Sequence, residues 1–90
     1  MLAEKEVISL DDKARQIGLI VGISETIYLW VVSRFSNAYM EYYNGEWVAW
    51  RETYQKGRKQ AIGVKLIAKG NTFDYVLMQF EKYIKYVSRR

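Results

Sequence analysis

The side chains of this 90-residue chain include no His and no Cys. That removes the commonest general base, the commonest metal ligand and the thiolate nucleophile. Only carboxylates are left to ligate a metal, and they are scattered. There is no Gly-rich phosphate loop, paired-carboxylate motif or nucleophile elbow. The expectation is a binding protein and not an enzyme, with no cofactor and no metal. The chemistry that is abundant is cationic. Residues 1–54 hold five Lys or Arg against eight acids, whereas residues 55–90 hold nine against Asp74 and Glu81. A basic half on a small chain is the electrostatic footprint of a polyanion partner. Interleaved with it are aromatic residues, 3 Trp, 8 Tyr and 3 Phe in all.

Ninety residues make one domain, and half of them are hydrophobic. A chain this short covers less of its surface than a larger one, so apolar surface is left for a partner subunit. The charged N-terminus lacks the pattern of a signal peptide. The apolar stretch 17–32 is interrupted by Ser24-Glu25-Thr26 and is too short to span a bilayer. These features predict a cytoplasmic protein with no membrane partner. The absence of Cys, His and Pro beside many Ile, Tyr, Lys and Glu suits a hot environment.

The elements that must position the charges read as follows. Residues 4–8 form a short strand or arm. Ser9 caps a first helix with Asp11 and Asp12 in its first turn, and Leu10, Ala14, Ile17 and Val21 share its apolar face. A turn at Gly22-Ile23-Ser24 leads to a second helix over 25–35, apolar nearly all round and so buried on most sides. Residues 37–43 are ambiguous. Asn44-Gly45 is either a type I′ hairpin turn or the start of a third helix. The helix is preferred, because Trp47, Trp50 and Tyr54 are spaced i, i+3, i+7, Lys56 falls in the last turn and Gly57 stands as the stop. The run 61–67 is β-branched and reads as a strand. A final helix over 72–87 is capped by Asn71 or Thr72. Phe73, Val76, Phe80, Tyr83 and Val87 form its a/d stripe, widened by Leu77 and Ile84.

The segment from Ile17 to Trp30, with Gly18 four residues before the turn glycine Gly22, resembles a helix-turn-helix. The order helix, helix, helix, strand, helix resembles the winged-helix class more broadly, in the manner of PadR- or MarR-type regulators and the small winged-helix adaptors of plasmid partition systems. The resemblance implies a mainly α (α+β) fold, a winged helix-turn-helix with a C-terminal dimerisation helix. Residues 47–57 would be the reading helix and 58–69 the wing. It implies duplex DNA as partner, and a role as transcription regulator or partition adaptor. Phosphates would be held by Arg51, Lys56, Arg58, Lys59, Lys65 and Lys69, and base edges reached by Thr53 and Gln55 with Arg51. Phe73, Val76, Leu77, Phe80, Tyr83, Ile84 and Val87 would form a homodimer interface.

Two other readings stand beside this one. If residues 39–43, 46–54 and 61–68 are strands, they form an antiparallel sheet with the last helix behind it. Trp and Tyr beside Lys and Arg would then stack single-stranded bases, similar to the positive-cofactor type of transcription coactivator. A protein-interaction or inhibitor module would instead use the aromatics as hot spots.

Overall fold

A computed structural model describes residues 8–57 and 59–89. Most of the lead-in at 4–8, and Arg58, lie outside the described residues. Helix α1 (Leu10–Gln16) is followed by strands β1 (Ile20–Ile23), β2 (Ile27–Ser33), β3 (Ser36–Tyr43), β4 (Glu46–Tyr54) and β5 (Ala61–Gly70), and by helix α2 (Phe73–Ser88). The strands form a single antiparallel sheet in the order β1-β2-β3-β4-β5.

This architecture overturns the winged helix. The second helix expected over 25–35 is strand β2 and the turn after it, and the expected helix-turn-helix is the β1–β2 hairpin. The expected reading helix is β4, paired with β3 from Tyr43↔Glu46 to Ser36↔Thr53. The turn between them decides the matter. Asn44 and Gly45 both take positive φ, 56° and 85°, as a type I′ hairpin turn demands. The helical spacing of Trp47 and Trp50 is coincidental, since an offset of three puts them on opposite faces of a strand. Trp47 is buried, whereas Trp50 is half-buried on the other face.

The elements at the two ends match expectation more closely. Ser9 caps α1, its Oγ accepting from Asp12 N at 3.0 Å. The helix stops at Gln16, short of the expected Val21, which lies in β1. Thr72 caps α2, accepting from Tyr75 N at 3.2 Å. The chain must turn tightly out of β5 to reach that cap. A side chain at Gly70 would bring its Cβ to 2.9 Å from the Tyr75 ring, so only glycine allows the approach.

Both helices lie on one face of the sheet. Phe73, Val76, Leu77 and Phe80 of α2 are buried there with Tyr28, Ala38, Met40, Trp47 and Ala49 of the strands and Ala14 of α1. Phe73 meets Trp47 and Tyr28 edge-on, at 5.0 and 5.8 Å between ring centroids. The apolar stripe of α2 expected to pair two subunits thus packs chiefly on the chain's own sheet.

Asp11 ties α1 to the β1–β2 turn. Its carboxylate accepts from Ser24 Oγ at 2.6 Å, the buried Tyr28 hydroxyl at 2.7 Å and Glu25 N at 3.0 Å. The hydrogen bonds from Ser24 first, then Tyr28 and Glu25, hold the Asp11 carboxyl below its ordinary value. Burial above all, with the bond to Asp11, pushes the Tyr28 phenol up. Lys13 and Asp74 join the two helices through an ion pair at 3.0 Å.

Candidate nucleic-acid interface

A groove of about 410 Å³ runs between β5, an edge strand, and α2. It is lined by Lys65, Leu66 and Ile67 from the strand and by Gln79, Lys82, Tyr83 and Tyr86 from the helix. Positions 79, 82, 83 and 86 have the i, i+3, i+4, i+7 spacing that puts side chains on one helical face. That face borders the buried stripe and overlooks the strand edge.

Lys65 enters the groove because β5 is irregular. Its pairing with β4 runs Ala49↔Ala68 and then Trp50↔Leu66, so Ile67 is an extra residue in a β-bulge. Beyond a bulge, side chains exchange faces relative to a regular strand. Lys65 pairs with Arg51, which shares the helix-covered face with Ala49 and Trp47. Leu66 is sent to the opposite face beside Trp50. A regular strand would have set Lys65 opposite Glu52 on that other face and turned Leu66 towards the helix.

Tyr83 is held from below. Arg51 donates from Nη1 to the Tyr83 hydroxyl at 2.8 Å and from Nε to the buried Ser36 hydroxyl at 2.5 Å. The half-buried guanidinium therefore fixes the tyrosine ring at the groove. Tyr86 is 59% exposed further along the helix. Rings beside two ammonium groups can stack bases while the cations meet phosphates. Lys85, which pairs with Glu81 at 3.6 Å, and Arg89 add positive charge to the same helix.

The expected contact residues are only partly gathered. Lys65 lines the groove, and Arg51 serves it through Tyr83. Thr53 lies on the helix-covered face, paired with Ser36 and Gly63. Gln55, Lys56 and Lys59 are exposed in the β4–β5 connection. Lys69 is opposite Val48 on the other face of the sheet. Of the proposed dimer residues, Phe73, Val76, Leu77 and Phe80 are core, Ile84 packs against it, Tyr83 lines the groove and Val87 is half-buried. Gln79, Lys82 and Tyr86 were not foreseen as site residues. Their shared helical spacing was legible, but its meaning depended on knowing which way the apolar stripe faced.

The opposite face has a different character. Tyr39 and Trp50 stack at 5.3 Å with 28° between their planes. Glu52 accepts from Trp50 Nε1 at 2.9 Å and from the Tyr54 hydroxyl. The bond to Glu52, with a further one to Tyr39, pushes the Tyr54 phenol up. Of the aromatics in the single-strand reading, Tyr39, Trp50 and Tyr54 are on this face but beside carboxylates, whereas Trp47 and Tyr42 are on the helix-covered face.

Among the described residues no cluster of His, Cys, Asp or Glu could hold a metal ion, and no helix is long and apolar enough to cross a membrane. Compared with known protein families, with characterised proteins and with solved structures, the chain matches none.

Proposed function

We propose that the protein binds single-stranded nucleic acid in the groove between β5 and α2 and performs no catalysis. The observation that carries this reading is the convergence of Lys65, Lys82, Tyr83 and Tyr86 on one groove at the basic end of the chain. Lysines on opposite walls suit a sugar–phosphate backbone, and the tyrosines offer flat faces that any base can use. Duplex recognition loses its basis, because the helix that would have entered the major groove is a strand in the middle of the sheet. The face bearing Tyr39 and Trp50 suits a polyanion poorly, since Glu41 and Glu52 share it with Lys69 alone among Lys and Arg of the paired strands.

Fluorescence anisotropy with oligothymidylate, oligouridylate and a duplex of equal length tests this at low and high salt. Single strands bind more tightly than duplex, and the DNA and RNA arms identify the sugar preferred. Replacing both Lys65 and Lys82 with Ala lowers affinity and flattens the log–log salt dependence by about 1.4 units, at roughly 0.7 per phosphate contact on a single strand. Absence of binding at low salt, or a double variant indistinguishable from wild type, refutes the proposal.

A further inference from the structure

Arg51 and Lys65 stand directly opposite each other on β4 and β5, on the face that carries α2. Side chains so placed start about 5 Å apart at their Cβ atoms, and like charges there are destabilising. No acid on that face of β3, β4 or β5 relieves them, because Glu41, Glu46 and Glu52 all fall on the other face by their pairing. The two acids of α2 are engaged elsewhere, Asp74 by Lys13 at 3.0 Å and Glu81 by Lys85 at 3.6 Å. Lys82, on the facing wall of the groove, adds a third cation. Among the described residues none of these three cations has an ion pair. Arg51 is half-buried as well, a setting in which a charge is costly without an opposite charge beside it. Departures of this kind from local rules gather at functional sites.

The partners that Arg51 does have are neutral oxygens. Nε donates to the Ser36 hydroxyl, and Nη1 donates to the Tyr83 hydroxyl at 2.8 Å. A phenol oxygen that accepts from a cation becomes a stronger donor through its own O–H. Tyr83 donates to no acceptor among the described residues, and it lines the groove together with Lys65 and Lys82. We propose that Lys65, Lys82 and the Tyr83 hydroxyl form an oxyanion subsite that takes one phosphate group, with Arg51 as a positioning residue beneath it. Ammonium groups and a polarised O–H are all donors, and a phosphate meets them with charged acceptor oxygens. Its negative charge also offsets the repulsion between Arg51 and Lys65. The inference rests on the groove reading only in taking that phosphate from a nucleic-acid strand. It gives Tyr83 a hydrogen bond to the ligand in addition to its ring face.

Thermal unfolding of the full chain in sodium phosphate, and in sodium chloride of equal ionic strength, tests the subsite beside oligothymidylate anisotropy. Phosphate stabilises proteins generally by exclusion from their surface, so the readout is the extra gain of wild type over each variant. Tyr83→Phe keeps the ring and removes the hydroxyl. It is expected to lose the extra gain in phosphate and to bind oligothymidylate about tenfold more weakly, the worth of a charge-assisted hydrogen bond. Lys65→Gln is expected to lose the same gain, yet to melt above wild type in dilute chloride. That advantage shrinks as added chloride screens the repulsion from Arg51. A phosphate gain equal in wild type and both variants overturns the subsite, even where oligothymidylate binds. Oligothymidylate binding unchanged in Tyr83→Phe also overturns it, and leaves Tyr83 a stacking surface alone. A phosphate gain confined to wild type, with no oligonucleotide binding at all, upholds the subsite for free phosphate and refutes the nucleic-acid reading of the groove.

Discussion

The two faces of this sheet carry side chains of similar size and apolarity, yet they differ in what covers them. Tyr28 and Met40 have no exposure beneath the helices, whereas Val64 and Leu66 on the far face remain 67% and 58% exposed. The helices come from opposite edges, α1 entering β1 and α2 leaving β5, and both fold back onto the same side. What holds them there is partly polar: the Asp11 clamp, the Arg51 bridge to Ser36 and Tyr83, and the Lys13–Asp74 pair. Apolar content alone therefore does not mark a core. The covered face holds the core of the fold, whereas the far face leaves large apolar side chains exposed.

The largest effect that would break this contrast is on folding. Phe80→Ala empties a fully buried site and should cost about 3–5 kcal/mol in chemical denaturation. Val64→Ala, measured as monomer, should change stability by no more than about 0.5 kcal/mol. Equal losses at the two positions would mean that the open face is covered after all.

The groove sharpens the contrast through binding. Tyr86→Leu should lower oligothymidylate affinity by about 1–3 kcal/mol, the usual worth of a base stacked on a ring. Unchanged affinity would remove Tyr86 from the interface.

The Asp11 clamp gives the covered side an acid dependence. The folded pKa is lowered, so its stabilisation is complete above the ordinary carboxylate value of 3.8 and is lost as pH falls through the folded value. Asp11→Asn should therefore melt at a lower temperature than wild type at neutral pH. The gap should close as the pH is taken below the ordinary carboxylate range, and a gap constant with pH would show that the clamp does not act through its charge. The smallest effect belongs to Lys13→Ala. It removes a partly exposed ion pair and should cost between 0 and about 1 kcal/mol, less at high salt.

The sequence was most legible where local physics is strong. Ser9 and Thr72 are found at the caps their hydroxyls predict, and the apolar stripe of α2 lies on one face as its spacing requires. The strand 61–67 is the heart of β5, and Asn44-Gly45 forms the type I′ hairpin turn that its residue types allow. The misreadings fall on β2 and β4. A strand with one wet face alternates apolar and polar residues, but Ile27–Ser33 and Trp47-Val48-Ala49-Trp50 are apolar on both faces, because the face without helices is apolar as well. With alternation erased, such runs cannot be told from buried helix by period alone.

Composition and short-range pattern by themselves determined the uneven charge, the lack of His and Cys chemistry, both helix starts and the amphipathic last helix. Each depends on neighbours within a turn or on a sum over residues. The tertiary structure alone decided which face of the sheet the helices cover and where each lysine of β5 points. Lys65 and Lys69 are four residues apart and would share a face in a regular strand. The bulge at Ile67 puts one in the groove and the other on the open face. A bulge is set by how β5 registers against β4 while its ends are tied to the turn at Gly70 and to α2, and no local window of sequence contains that constraint.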